Sequence, residues 1–158
     1  MTTQQWLKPF KSWVYVLAQF VLIAACLWGI HADLTHSHEL LHMAVSSGLF
    51  IGGVFLGLWA LWSMGSTTFS VLPSPVPDGS LCERGPYQWV CHPMYTAVLL
   101  VCLAAWVLNP TWLRSFAWVL LLLVLIGKLR FEETLLAQRF SGYRHYQKNR
   151  HRLLPFLF

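Results

Sequence analysis

Two histidines and a glutamate in the first third of the chain have the spacing of a metal site. Residues 38–42 read His-Glu-Leu-Leu-His. On a helix, this spacing places both histidines on one face around a zinc ion, with the glutamate available as a base. Asp78, followed by Gly79, could supply a third ligand. The string therefore raises zinc-dependent proteolysis as a first hypothesis.

A second group of polar side chains lies in two segments of the C-terminal half. The first segment, at residues 83–95, reads "ERGPYQWVCHPMY" and combines a histidine–proline pair with two tyrosines. The second, at residues 127–140, reads "GKLRFEETLLAQRF". On a helix, Glu132 lies one turn after Lys128, so this acid and this base share a face. The two segments flank a short apolar stretch, and their relative positions depend on how that stretch folds.

The composition is typical of a membrane protein. Of the 158 residues, 56% are hydrophobic, 15% are aromatic and only 11% are charged. Tryptophans stand near the ends of the apolar segments, as indoles do at a membrane interface. The four apolar segments are residues 13–30, 40–64, 94–108 and 111–126.

The third and fourth apolar segments have the pattern of a helical hairpin. Asn109-Pro110 is a turn signal between them, and Pro93 is a suitable first residue for the third helix. That helix would be only about 22 Å long, which is short for a hydrocarbon core of ~30 Å. The fourth has only Gly127 as a weak interruption, so residues 111–140 could form one helix of roughly 45 Å.

The predicted fold class is therefore an all-α integral membrane protein. We expect about four transmembrane helices, including the short C-terminal hairpin, and a cytoplasmic helical extension. We predict a single membrane domain over residues 1–158. Its N-terminal half, residues 1–64, contains two spans. Residues 65–158 form the half that contains the candidate binding and catalytic residues.

The basic residues predict how the chain is oriented. With four spans and both termini in the cytoplasm, ten of the eleven lysines and arginines are cytoplasmic, and Arg114 is the exception. We expect an integral protein of a bacterial inner membrane. The net charge of +5 then serves contact with lipid headgroups, and we predict no nucleic-acid partner.

This orientation argues against zinc-dependent proteolysis. His38 and His42 would stand at the outer end of the second span, whereas Asp78 would follow that span on the cytoplasmic side. A ligand cannot reach across ~30 Å of bilayer. We interpret the string as a polar interface loop, with adventitious or regulatory metal binding left open, and we assign no metal ligands.

The second apolar segment also contains two G-x-x-x-G frames. Glycines at this spacing let another helix approach closely. The partner could belong to the same chain or to a second copy, and the oligomeric state stays open. The glycines are Gly48, Gly52, Gly53 and Gly57.

The C-terminal half resembles the isoprenylcysteine carboxyl methyltransferases and their bacterial and phospholipid-methylating relatives. The shared pattern is Gly-x-Tyr, His-Pro-x-Tyr, an apolar hairpin and a Glu-Glu pair, followed by a phenylalanine, two tyrosines and a proline. The resemblance covers roughly residues 79–158, and it rests on the order and spacing of the motifs. In this sequence the motif residues are Gly85, Tyr87, His92, Pro93, Tyr95, Glu132, Glu133, Phe140, Tyr143, Tyr146 and Pro155.

This resemblance implies a membrane methyltransferase with S-adenosyl-L-methionine as its cofactor. Its cofactor pocket would open to the cytosol, and a lipophilic or lipidated acceptor would enter from the bilayer. A basic residue one turn before the first glutamate contacts the acceptor in the family, which here is Lys128, with Arg130 nearby. The implied cofactor-binding residues are Gly79, Ser80, Leu81, Cys82, Tyr87, His92, Pro93, Met94, Tyr95 and Glu132.

The chemistry of these side chains agrees with the implied roles. Glu132 can pair with the cofactor ammonium, and the start of the helix after Pro93 can hold its carboxylate. Tyr87 and Tyr95 can cover the adenine or the sulfonium. Methyl transfer itself depends mostly on alignment of the nucleophile, the methyl carbon and the sulfur.

The chemical class of the acceptor stays open, and so do two other functions. A carboxylate acceptor would need only a cation such as Lys128 or Arg130, whereas an amine or thiol would need His92 as a base. Cys91 stands where the family usually has arginine, so a catalytically degenerate relative that binds a lipid or a protein partner is one alternative. A nicotinamide-dependent membrane reductase, which has a related helical end, is the other.

Overall fold

The computed structural model describes residues 3–30, 39–64 and 82–153, with side chains from residue 11 onward. Within these ranges the chain is helical, and the one β-type pairing is a parallel bridge between Val90 and His151. A 3-10 turn at Gly85–Gln88 precedes the third helix. The α-helices are α1 (Thr3–Leu27), α2 (Leu40–Met64), α3 (Pro93–Leu108), α4 (Trp112–Arg139) and α5 (Tyr143–Lys148).

The all-α fold class is confirmed. Helix α2 has the predicted bounds, and α3 and α4 form the expected hairpin around Asn109-Pro110. Helix α4 continues without a break for 28 residues, about 42 Å, so Gly127 does not end it. Helix α1 begins at Thr3, ten residues before the predicted span at Trp13, so the helix extends beyond the apolar run at its N-terminal end.

Two helices are long and apolar enough to cross a membrane, judged by length and composition. These are α2 and α4. The apolar part of α1, Lys11–Leu27, and the whole of α3 are shorter apolar helices. Large apolar side chains cover the outward faces of the bundle, and Trp62 is 86% exposed while Trp112 is 92% exposed. So extensive an apolar surface is unfavourable in water and favourable in lipid.

The four long helices pack as two pairs around the hairpin. Helix α1 lies mainly against α4, and α2 lies mainly against α3. Leu121, Leu125 and Leu129 follow each other at intervals of four residues on α4 and are fully buried. This stripe packs against Leu99 and Cys102 of α3 in the main apolar core.

One of the two glycine frames in α2 is used inside the chain. A Cβ atom added at Gly53 would lie 2.9 Å from Val101 Cγ2 and 3.0 Å from the Ala97 carbonyl oxygen of α3. The same atom added at Gly57 would lie 3.4 Å from the Ala97 Cβ. Gly48 and Gly52 have no such neighbours within 4 Å. The Gly53–Gly57 frame therefore serves the close approach of α2 to α3.

A buried arginine closes the end of the bundle at which the hairpin turns. Arg114 donates hydrogen bonds to the carbonyl oxygens of Trp28 (2.7 Å), Asn109 (2.9 Å) and Ala105 (3.2 Å). These carbonyls belong to the C-terminal ends of α1 and α3, where the Trp28 and Asn109 oxygens are beyond the last helical hydrogen bonds and the Ala105 oxygen also accepts from the Asn109 amide. The guanidinium also opposes the negative ends of two helix dipoles. The start of α3 and the C-terminal part of α4 lie at the opposite end.

Candidate active site

His92 stands at the first turn of α3, where the sequence favours a helix start. Pro93 occupies the first helical position, where a missing N–H costs nothing. The His92 carbonyl accepts from the amides of Tyr95 and Thr96, and its own amide donates to the Arg152 carbonyl at 3.0 Å. The His92 residue is only 8% exposed. Its ring is therefore held inside the protein by backbone bonds on both sides.

Two consecutive glutamates of α4 face the two nitrogens of that ring. Glu132 Oε2 lies 3.6 Å from His92 Nδ1, and Glu133 Oε1 lies 3.8 Å from His92 Nε2. Both distances exceed that of a hydrogen bond. Among the described residues, His92 Nε2 and Glu133 Oε1 are buried without a hydrogen bond, although Glu133 Oε1 lies within ion-pair distance of Arg152. Because buried polar atoms are normally paired, this cluster has hydrogen-bonding capacity left for a ligand.

Tyr95 and Lys128 extend the cluster along both helices. The Tyr95 ring stacks on the His92 ring at 5.3 Å with an angle of 4° between their planes. The Tyr95 hydroxyl lies beside the Glu132 carboxylate. Lys128 is 4% exposed, and its Nζ atom lies 5.1 Å from the centre of the Tyr95 ring. The same Nζ donates to Gln19 Oε1 of α1 at 2.9 Å.

The loop before α3 is attached to the end of α2. Gly85 has φ +57°, and a Cβ atom added there would lie 2.0 Å from Ser63 Oγ, so glycine is required at this close contact. The Cys82 thiol donates to the Ser63 carbonyl at 3.3 Å. Tyr87 is buried beneath this loop, and its carbonyl accepts from the Tyr146 hydroxyl at 2.8 Å. Burial raises the pKa of Tyr87, with nearby Cys82 and Glu132 adding to the effect, so the phenol stays neutral.

The C-terminal segment Arg150–Leu153 pairs with the histidine–proline motif like a short parallel strand. The His151 amide donates to the Trp89 carbonyl at 3.1 Å, and the Cys91 amide donates to the His151 carbonyl at 2.8 Å. The Thr96 hydroxyl of α3 donates to the Leu153 carbonyl. Residues far from the motif in sequence therefore fix its backbone.

The structure brings together several of the residues predicted from the sequence. His92, Tyr95, Lys128 and Glu132 form the cluster described above, and Tyr87 lies near Glu132.

The other predicted residues lie around this cluster or apart from it. Pro93 is buried at the start of α3, and Met94 follows it half-buried. Arg130 is exposed, because two residues along α4 turn it about 200° away from Lys128. Cys82 lies in the loop before α3, and its thiol contacts the last turn of α2. The predicted contacts Gly79, Ser80 and Leu81 lie outside the described residues.

Three further residues join the site without having been assigned a role from the sequence. In the sequence pattern, Glu133 is only the second residue of the Glu-Glu pair. Gln19 is a polar residue within an apolar run, and that signal could have marked it because such residues usually have a partner. Arg152, which reaches Glu133, stands in a basic tail and gives no sequence signal of its contact.

An apolar cleft of about 450 Å³ lies beside the histidine–proline motif, between α2 and the C-terminal segment. Leu56, Trp59 and Trp89 contribute its apolar wall, with the two indole rings 5.7 Å apart. Gln88 and Asn149 contribute polar atoms at its edge. A cleft of this composition suits an amphiphilic molecule.

The His-Glu-Leu-Leu-His string lies only partly within the described residues. Helix α2 begins at Leu40, and His42 is exposed, with its Nδ1 atom 3.6 Å from Glu39 Oε2. His38, Asp78 and Gly79 lie outside the description. In the part of the chain that the structure describes, no three His, Cys, Asp or Glu side chains are grouped to hold a metal ion.

Comparison with known proteins places the chain in a family. The family model described as phospholipid methyltransferase matches residues 41–142, from the start of α2 to the turn before α5. Comparisons with curated proteins and with solved structures give no match. The matched region contains His92, Lys128 and both glutamates, and it covers about two thirds of the chain. The chain therefore belongs to the phospholipid methyltransferase family, within the isoprenylcysteine carboxyl methyltransferase-like group.

Proposed function

We propose that the protein transfers a methyl group from S-adenosyl-L-methionine to a lipophilic acceptor that enters from the bilayer. Family membership supports a methyltransferase role. The observation that carries the proposal is the buried His92–Glu132–Lys128 cluster, in which the Nε2 atom of His92 has no hydrogen-bond partner. A buried polar atom without a hydrogen bond, in a mostly apolar molecule, favours binding of a polar ligand at this end of the bundle.

The residues of the cluster fit the charges of the cofactor. The Glu132 side chain is 17% exposed, so it is shielded from water yet accessible to an ammonium group. The aromatic ring of Tyr95 can attract a sulfonium. When bound, S-adenosyl-L-methionine supplies a methyl group activated by positively charged sulfur. The protein then contributes position and electrostatics, which are the main requirements of this reaction.

The acceptor side of the site offers two chemistries. Lys128 is a buried basic side chain that could orient an acceptor carboxylate, and His92 could accept a proton from an amine or a thiol. The apolar cleft beside Pro93 is a suitable place for the hydrocarbon part of the acceptor. We propose a lipid or a lipidated molecule as the substrate class.

The proposed setting is a bacterial inner membrane, crossed by α1 to α4. Both termini would then lie in the cytoplasm, on the same side as the cofactor site. This orientation agrees with the basic residues, which concentrate at the end of the bundle where α4 finishes.

Transfer of a radiolabelled methyl group tests the proposal directly. The purified protein in lipid vesicles should transfer label from S-adenosyl-L-methionine to a member of a panel of lipophilic carboxylates, amines and thiols. Glu132→Gln should lose most of this activity because the cofactor ammonium loses its partner. Glu83→Gln, a change at an exposed glutamate, is the matched control and should keep it. Cofactor binding without transfer to any acceptor would favour a degenerate, lipid-binding relative, and preference for a nicotinamide nucleotide would favour the reductase alternative.

A further inference from the structure

Glu133 is a buried carboxylate that the proposed chemistry does not use. It is 8% exposed, and Oε1 lies 3.8 Å from His92 Nε2 and 3.4 Å from Arg152 Nε. A carboxylate in such a position requires a counter-charge, because burial of an unpaired charge is strongly unfavourable. Arg152 supplies that charge from the C-terminal segment, 19 residues further along the chain.

The backbone holds Arg152 in register with His92. The His92 amide donates to the Arg152 carbonyl, and the neighbouring Cys91 amide donates to the His151 carbonyl. The Arg152 side chain then reaches past His92 to Glu133. One residue therefore touches both the start of α3 and the second glutamate of α4.

Position 91 lies in the same electrostatic environment. Cys91 is buried directly before His92, whose Nε2 atom lies 3.8 Å from Glu133 Oε1, and the Cys91 amide donates to the carbonyl of His151, the neighbour of Arg152. An arginine at position 91, where the family pattern has one, would therefore lie close to Glu133. The cysteine supplies no charge.

We infer that Arg152 is a positioning residue that takes the place of the arginine missing at position 91. This inference rests on the proposed function. Arg152 neutralises Glu133, which leaves His92 centred between the two glutamates and Glu132 available for the cofactor. Without Arg152, the donors beside Glu133 are the Gln147 amide and the His92 ring. The unbalanced charge then draws the ring away from Glu132 and disturbs the ammonium site.

Charge relocation tests this inference. Arg152→Gln should bind S-adenosylhomocysteine about tenfold more weakly by calorimetry, since the ion pair is partly exposed and its loss is moderated by water. Adding Cys91→Arg to this variant should restore most of the affinity. A merely structural anchor would not be rescued from another position. Arg150→Gln is the matched control, because Arg150 pairs with the exposed Glu83 at 3.3 Å and not with Glu133. The affinity of this variant for S-adenosylhomocysteine should stay within about twofold of the wild-type value.

The possible results separate the inference from the proposed function. Wild-type affinity in Arg152→Gln would overturn the inference while leaving the function intact, and so would failure of Cys91→Arg to restore a weakened variant. Absence of binding by the folded wild type would instead contradict the function. Thermal unfolding would then decide the inference through a double-mutant cycle. The stability losses caused by Arg152→Gln and by Glu133→Gln must then be non-additive in the double variant. Additive stability losses would overturn the pairing of Arg152 with Glu133.

Discussion

At the scale of single residues, the site depends on burial as much as on residue type. His92, Glu133 and Lys128 are each less than a tenth exposed, although such side chains normally lie in water. Each has a partner on another element: His92 faces both glutamates, Glu133 faces Arg152, and Lys128 binds Gln19. The positions of these side chains are therefore fixed before any ligand arrives, which is what alignment of a methyl transfer requires.

The two cysteines of the loop before α3 should differ in their reaction with maleimide. Burial raises the pKa of the Cys91 thiol to about 11, with the negative charge of Glu133 adding to the effect. At pH 8 only about one thiol in a thousand is then ionised, and the reactive thiolate fraction rises about tenfold per pH unit up to the pKa. Cys82 is half-buried and more accessible.

Mass spectrometry of the detergent-purified protein should find Cys82 modified first at pH 8. Labelling of Cys91 should accelerate on going to pH 10. A Cys91 that is modified as fast as Cys82 at pH 8 would contradict the buried position of the thiol.

At the scale of elements, the ends of the helices position the side chains of the candidate site. The long α4 presents Glu132 and Glu133 about one turn after the last leucine of its apolar stripe, and α3, which begins at a proline, places His92 opposite them. The C-terminal segment completes the arrangement by hydrogen bonding to the start of α3. The four long helices could be predicted from their apolar runs and from the Pro and Asn-Pro punctuation, because those signals are local. The short α5 has no apolar run and was not predicted.

The contacts between elements were less predictable than the elements. The sequence pattern led to His92, Tyr95, Lys128 and Glu132 because they belong to motifs. The contact of Arg152 with Glu133 depends on the parallel pairing of the C-terminal segment with residues 90–92, which no local pattern encodes. For the same reason, the sequence could not show that Gly53 and Gly57 face α3. Nor could it show that no atom lies within 4 Å of a Cβ position at Gly48 or Gly52.

The close approach of α2 to α3 should make Gly53 intolerant of any side chain. In Gly53→Ala, the added methyl group meets Val101 and the Ala97 carbonyl, so we expect a loss of about 1–3 kcal/mol in stability. Gly52→Ala is the matched control, since nothing lies within 4 Å of its Cβ position. It should be neutral or stabilising, because alanine favours a helix by up to about 1 kcal/mol over glycine. Thermal unfolding in detergent measures both, and equal effects would argue against this packing.

Arg114 should stabilise the fold without contributing to the site. Arg114→Met would leave carbonyls at the ends of α1 and α3 without their donor, and we expect a loss of about 2–4 kcal/mol. Affinity for S-adenosylhomocysteine should change less than twofold in protein that remains folded, because the site lies at the opposite end of the bundle. A large loss of affinity at unchanged thermal stability would contradict this division.

At the scale of the whole molecule, the polar groups are divided between two ends of an apolar bundle. One end has Arg114 buried at the hairpin turn, and the other has the buried cluster with the basic C-terminal region. The broad apolar surface between them fits the proposed position in a bilayer, which predicts that the two ends face different compartments.

Cysteine labelling in intact bacterial cells can test this topology. A maleimide that does not cross membranes should label Thr111→Cys, at the exposed hairpin turn, and should not label Arg144→Cys, an exposed position in α5. Both should react after the cells are lysed. Labelling of Arg144→Cys in intact cells would place the proposed site outside the cytoplasm and contradict the orientation.

The central claim is that the cofactor binds at the His92–Glu132 cluster, and calorimetric titration with S-adenosylhomocysteine tests it most directly. The detergent-purified wild type should show saturable binding. Glu132→Gln should abolish it, and Glu83→Gln should leave it unchanged. Absence of binding at millimolar ligand in folded wild-type protein, or equal binding by Glu132→Gln, would contradict the account.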